Sequence, residues 1–372
     1  MNASELMRDA LQRIATGPTL SKDLTRDEAA QVMGIILDGQ ADDVQAGIFL
    51  IALRMKRETD EELAGVLDAI NARVQKQILQ IDHLVTIVDP YDGYLRSTPA
   101  APFLPAVLAA CGVPVLTHGV ASMGPKFGAS HESVLRAAGL SIPGSLQQAA
   151  TLIESEQCGW AYLSQYTLAP QLAGLSNLRT RIVKRPCLTT IEVAVNAFMP
   201  RKASHLVTGF VHKPYPPIYA TLAKEGGFDS SIMVRGVEGG VVPSLTQASR
   251  YFTSSDGASL TQVELEPSDV GVSRQERATP LPTTLSNDSV RSVKAPDNPF
   301  AEQLAQHAAQ LGLAALQGEP GYARDSLVYS AAVTLHARQV ASSMSEAAEM
   351  VRGVLDDGRA LARFEAAARA ND

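Results

Sequence analysis

The spacing of apolar residues divides the chain into two regions. Up to about residue 76 every apolar stretch repeats at helical spacing. Thr25-Arg-Asp-Glu28 is a capping box followed by Ala29, Val32, Met33 and Ile36, with a stop at Gly39. Asp42 or Asp43 starts a second run through Val44, Ile48, Ile51 and Ala52. Thr59-Asp-Glu-Glu62 caps a third run, with Leu63, Val66, Leu67, Ile70 and Val74 on one side. Short loops between such helices predict a small antiparallel bundle. From Leu84 the pattern shortens. Leu84–Val88 and Val113–Leu116 are apolar, β-branched runs separated by an Ala-rich helical segment, Phe103–Cys111. That order predicts an α/β unit with a parallel sheet.

Further strands are expected at Ala161–Leu163, His205–Val211 and Ser231–Arg235, with helices at Glu132–Ala138, Leu146–Glu154 and Pro217–Lys224. Ser273–Pro299 is rich in Ser, Thr, Pro and Asn without apolar periodicity and reads as a long flexible loop. Helices at Pro299–Leu313 and Ser326–Ser342, and one from near Ser345, close the chain. The expected fold class is α/β, with an all-helical domain over residues 1–76 and a larger α/β domain with a mainly parallel central sheet over residues 77–372.

Composition narrows the setting. The chain has 372 residues, 45% of them hydrophobic, and its longest apolar run, Ala46–Leu53, is far short of the ~20 residues a membrane span needs. Cys111, Cys158 and Cys187 are scattered without a CxxC pair, against a disulfide framework or zinc site. These features predict a cytoplasmic protein with no membrane partner. The net charge of −7 hides a local bias. Arg179, Arg181, Lys184, Arg185, Arg201, Lys202, Lys213 and Lys224 stand against one acid, Glu192, with His205 and His212 interspersed. A basic stripe in an acidic chain is a candidate anion site, and Tyr215 and Tyr219 beside it offer rings for stacking.

Several segments resemble the anthranilate phosphoribosyltransferases of glycosyltransferase family 3. Arg54-Met-Lys-Arg-Glu-Thr-Asp-Glu-Glu-Leu-Ala-Gly65 resembles "LRMKGET-EE-AG", Ala110–Gly119 resembles "ACGVKVAKHG", Lys126–Gly139 resembles "KSGSADVLEALG", and Glu346–Leu361 resembles "EGVELAREALDSGKAL". The resemblance implies this family's nucleoside phosphorylase/phosphoribosyltransferase-like fold and a homodimer through the helical domain. The crowding of Ile48, Phe49, Ile51 and Leu53 on one helix supports the dimer. By the same resemblance Arg179 falls on the arginine that contacts the anthranilate carboxylate. His118, Gly119, Lys126 and Asn196 remain from the family's cleft, and Arg235-Gly236 replaces a "HG" dipeptide.

The family's catalytic motifs are altered. Its phosphate-holding "GTGGD" loop is matched by Asp89-Pro-Tyr-Asp-Gly93, where Pro90 has no N–H to give and Asp89 adds a negative charge. "NxST" is placed on Pro99-Ala-Ala-Pro102, Thr117 and Val120 replace the lysine and asparagine of "KHGN", and the magnesium-holding "DE" pair falls on Val241-Val242, with Glu238 the nearest acid. Phosphoribosyl transfer depends on positioning and charge neutralisation, so these losses point away from catalysis. The resemblance extends to a divergent TrpD-like branch with members that bind nucleic acid without transferring a ribosyl group.

The expected function is a non-catalytic binder of single-stranded nucleic acid with little sequence preference. It has no catalytic residue, metal or cofactor, and the polyanion lies on Arg179, Arg181, Lys184, Arg185, Arg201, Lys202, Lys213 and Arg235. The alternative is a pentosyltransferase or nucleoside-phosphorylase-type enzyme with an unknown substrate, for which magnesium would be retained.

Overall fold

The computed structural model describes residues 2–17, 19–285 and 295–370. Four helices open the chain: α1 (Ala3–Ile14), α2 (Arg26–Leu37), α3 (Asp43–Lys56) and α4 (Asp60–Asn71). The capping boxes at Thr25 and Thr59 form as their spacing requires, and the Asp42 side chain caps α3. Buried Phe49, Leu50 and Leu53 of α3 face the interior of this bundle, whereas Val44, Ile48 and Met55 are exposed. The crowded helix is therefore resolved into an inner face and an outer one, and Phe49 and Leu53 belong to the inner.

The second domain is built on β2 (His83–Val88), β3 (Val115–Gly119), β4 (Trp160–Ser164), β6 (Ala203–Phe210), β7 (Ser230–Arg235), β8 (Ser249–Ser254) and β9 (Thr261–Leu265). Their order is β4-β3-β2-β6-β7-β8-β9, parallel from β4 to β7 and antiparallel at β8 and β9. The five parallel strands are covered on both faces and read as near-continuous apolar runs. A separate two-stranded ribbon pairs β1 (Gln77–Ile78) with β5 (Phe198–Met199).

Helices α5 (Leu104–Ala110), α6 (His131–Ala137) and α7 (Leu146–Glu154) follow or link the first strands. Four short helices, α8 (Gln165–Leu168), α9 (Pro170–Ala173), α10 (Ser176–Ile182) and α11 (Leu188–Ile191), lead from β4 to β5. After α12 (Tyr215–Glu225), the chain ends in α13 (Pro299–Leu316), α14 (Tyr322–Ala337), α15 (Met344–Asp356) and α16 (Arg359–Arg369).

Successive strands step from β2 to β3 to β4 on one side, then cross to β6 and β7 on the other. The strand order therefore reverses between β2 and β6, and the loops after these strands part to leave a crevice. Within the expected loop at residues 273–299, Thr279 O accepts from Thr98 N–H and Pro280 O from Thr98 Oγ1. The remainder of the loop lies partly outside the described residues, and Asn298 caps α13. Among the described residues no helix is long and apolar enough to cross a membrane.

Candidate functional site: a cleft at the strand-order reversal

A cavity of about 220 Å³ opens where β2 and β6 end. Pro90 and Asp92 from the loop after β2 line one side, and Thr208–His212 from the end of β6 the other. Tyr215 and Tyr219 of α12, Thr189 and Thr190 of α11, Arg54 of α3, and Arg185 and Glu238 add to the wall, so both domains contribute.

The loop after β2 is tied down by its own side chains. Asp89 is 3% exposed; its Oδ1 accepts the Val241 N–H at 2.9 Å, and its Oδ2 lies 2.9 Å from His131 Nε2 and accepts the Tyr94 hydroxyl. Burial alone would push this carboxyl up, but His131, Tyr94 and Val241 outweigh it and hold it below the usual carboxylate range. Tyr91, also buried, shares a hydrogen bond with His118 Nδ1. His118 is fully enclosed; burial, helped by neighbouring His131, lowers its pKa to about 3, so the ring is neutral.

Glu238 closes the next position. It sits on a turn of 3-10 helix after β7 with φ +54°, a backbone state that costs a residue with a Cβ about 1 kcal/mol. Its carboxylate accepts the Arg96 N–H and the Ser97 hydroxyl, each at 2.9 Å, and the Leu95 N–H at 3.3 Å, with Lys126 Nζ at 3.5 Å. Two convergent backbone donors, a hydroxyl and an ammonium make an anion-binding concavity. Here a carboxylate of the same chain occupies it. Ser97-Thr98 is also a serine–threonine pair that the "NxST" placement, which sets its last two positions four residues downstream on Ala101-Pro102, passes over.

Close backbone approach holds this arrangement. A Cβ at Gly240 would lie 1.7 Å from Tyr94 Oη, and one at Gly209 would lie 2.1 Å from Gly240 O. Val241 and Val242 are buried and apolar. Asp92, 2% exposed, accepts from Arg185 Nε at 3.0 Å through Oδ2, and its Oδ1 stands 3.7 Å from Lys126 Nζ.

The basic stripe does not survive as a single surface. Arg179 is 2% exposed and forms a buried two-point pair with Glu192 at 2.5 and 2.9 Å, which removes it from any contact with solvent-borne anions. Arg181 pairs with Asp43 on the outer side of α10. Arg201 and Lys202 precede β6 and contact Gln80 and Asp82, whereas Lys213 follows β6. An eight-residue strand separates the two groups by roughly 25 Å, at opposite ends of the sheet. Lys224 stands at the far end of α12.

Lys184, Arg185, Lys213 and Arg235 do share one end, the carboxyl ends of the parallel strands, with exposed Arg96 and His212 beside them. Among the described residues no acidic partner stands within ion-pair distance of Lys184, Lys213, Arg235 or Arg96. Lys126 and Gly119 line the interior, and a Cβ at Gly119 would come within 3.1 Å of Tyr162 Oη. Asn196 is structural: its Oδ1 accepts the Phe198 N–H and its carbonyl accepts from Lys76.

The sequence pattern does not single out Arg54, Arg96 or the seat of Glu238. Arg54 lies inside a helical motif with no other mark of a site residue, and Glu238 meets partners more than 140 residues away in the chain.

Residues 8–73 match the glycosyl transferase family helical bundle domain, and residues 97–361 match the a/b domain of the same family. Anthranilate phosphoribosyltransferase from Aquifex aeolicus is 25% identical over 362 residues, 97% of each chain. The Acidithiobacillus ferrooxidans enzyme is 28% identical over 361 residues, again 97% of each. Among solved structures, anthranilate phosphoribosyltransferase from Thermus thermophilus superposes with a TM-score of 0.70 at 18% identity, covering 98% of this chain and 99% of that one. The Saccharomyces cerevisiae enzyme in complex with PRPP and Mg gives 0.75 at 15% identity, covering 100% and 98%. A helical bundle joined to an α/β domain with a crevice at the strand-order reversal, matched over nearly its whole length, places this chain in glycosyltransferase family 3 as a relative of the anthranilate phosphoribosyltransferases.

Proposed function

We propose that this protein uses the family's cleft to bind an extended polyanion, single-stranded nucleic acid, rather than to transfer a phosphoribosyl group. The observation that carries the reading is Glu238, a built-in carboxylate on the backbone donors that would otherwise meet a phosphate. The cations without acidic partners lie outside this filled seat, on the rim. A strand backbone needs only positive charge and donors spaced along a surface.

The residues present do not fit a magnesium ion, which seeks several oxygen ligands in near-octahedral geometry. Asp89 is engaged on both oxygens, Asp92 faces Arg185 and Lys126, Glu238 faces donors, and Val241-Val242 offers no side-chain oxygen. A small phosphorylated donor with magnesium, the ligand pair in the yeast enzyme structure, would meet three carboxylates where it needs cations.

The test is titration of a labelled single-stranded oligonucleotide at two salt concentrations, beside thermal melts with phosphoribosyl pyrophosphate and magnesium. Wild-type binding is expected to weaken steeply with salt. Replacing Lys184, Lys213 and Arg235 by alanine is expected to lower the slope of log K against log salt by about 0.7 for each phosphate left without its cation. Binding insensitive to salt, or a melting temperature raised only by the donor with magnesium, would overturn the reading.

A further inference from the structure

We infer that the 220 Å³ cavity is a pocket for a single nucleobase turned out of the bound strand, an inference that rests on the polyanion reading above. Three aromatic rings converge on one wall. Tyr215 and Tyr219 stand 5.5 Å apart at 35°, and His212 stands 6.3 Å from Tyr215 at 37°. The Arg54 guanidinium lies 5.9 Å from the Tyr215 ring centre and donates to its hydroxyl, which fixes the ring's position. Phe210 adds a further apolar surface. Rings held in this way are platforms for a flat π-system.

Size limits the occupant. Pockets for drug-sized molecules run to ~300–1,000 Å³, so this smaller one admits a ring system but not a whole nucleotide with its phosphates. Those phosphates are left at the mouth, where Lys184, Arg185 and Lys213 stand.

Polar chemistry limits it further. Thr189 Oγ1 is buried without a hydrogen-bond partner, and Asp92 Oδ1 has none beyond the Lys126 ammonium at 3.7 Å; both residues line the cavity. An unpaired buried acceptor is costly, and a ligand that donates to it recovers the loss. Asp92 accepts, the Thr189 hydroxyl both donates and accepts, and Arg185 donates. A nucleobase edge offers N–H donors beside ring and carbonyl acceptors. An aromatic carboxylic acid offers an anion instead, toward a wall that already holds Asp92 and Glu238.

The experiment uses the full chain and single-stranded oligomers with an abasic backbone, either without any base or with one internal 2-aminopurine. Affinity for the strand with one base is expected to exceed that for the bare backbone at least fivefold at equal salt. The 2-aminopurine fluorescence should be quenched on binding. Tyr215→Ala should abolish the quenching and the affinity difference while keeping the salt slope, and Tyr215→Leu, which removes the aromatic ring but keeps apolar volume, serves if the first variant fails to fold. Equal affinity for the two strands with an intact salt slope overturns the pocket and leaves the rim reading standing. Absence of binding to either strand at low salt overturns both.

Discussion

Arg179 shows how a single side chain changes meaning between sequence and structure. In a count of charges it is one of eight cations; in the fold it is a buried partner of Glu192. Removing one member of such a pair leaves an uncompensated charge in the interior, which costs about 3–5 kcal/mol. Arg179→Met is therefore expected to lose that much stability in urea denaturation, and the double variant with Glu192→Met to recover most of it. A single variant within about 1 kcal/mol of wild type would contradict the pair's structural role. His118 carries a pH dependence of defined sign. Its folded pKa is about 3 against 6.5 for the free side chain, so below pH 6.5 the unfolded chain takes up a proton that the folded one refuses. Stability attached to this group is complete above pH 6.5 and declines as pH falls toward 3, with about 2 kcal/mol gone by pH 5. Asp89 acts in a lower window, because its depressed pKa delays its protonation. Denaturant midpoints at pH 7 and pH 5 test this, and His118→Asn should flatten the difference.

Among elements, legibility follows burial. Strands β2, β4, β6 and β7 are readable in the sequence because they are covered on both faces and so carry a short apolar or β-branched stretch, Leu206-Val-Thr208 in β6 and Ile232-Met-Val234 in β7. Strand β3 begins two residues later than its apolar run, because Pro114 has no N–H for a ladder. Strands β8 and β9 escape a reading by pattern. Ser249-Arg-Tyr-Phe-Thr-Ser254 and Thr261-Gln-Val-Glu-Leu265 form the edge, where half the side chains face out and polar residues dominate. Helices α8–α11 have four to seven residues each, too short to show a period. Pro90 and Asp89 of the loop after β2 are legible in the sequence, but the pairing of Glu238 with Arg96 and Ser97 depends on how β7 lies beside β6. That contact passes through the turn at residues 236–240, which touches Gly209. Gly209→Ala would drive a Cβ into two carbonyl oxygens at 2.1 and 2.2 Å, and overpacking of this kind costs about 1–3 kcal/mol. A melting temperature equal to wild type would show that the turn yields freely.

At the scale of the molecule, the outer face of α3 carries a prediction. Val44, Ile48 and Met55 lie at helical spacing and are 67%, 43% and 76% exposed, with Val183 beyond α10 at 65%. An apolar stripe of this kind marks an interaction surface. A second copy of the chain is expected to cover it, giving a dimer in light scattering at micromolar concentration that Ile48→Glu converts to monomer. A wild-type monomer would leave the stripe without this role.

Glu238 has a consequence for how the protein behaves among other solutes. Because the carboxylate is tethered, it competes for its seat at an effective concentration in the millimolar range or above, and it never diffuses away. Free phosphate, nucleotides and sugar phosphates must displace it one molecule at a time, and a preorganised turn makes that displacement harder. On the proposed polyanion reading, the interior of the cleft is thereby closed to small anions, and a long strand that touches several rim cations together would gain avidity which no small anion can match.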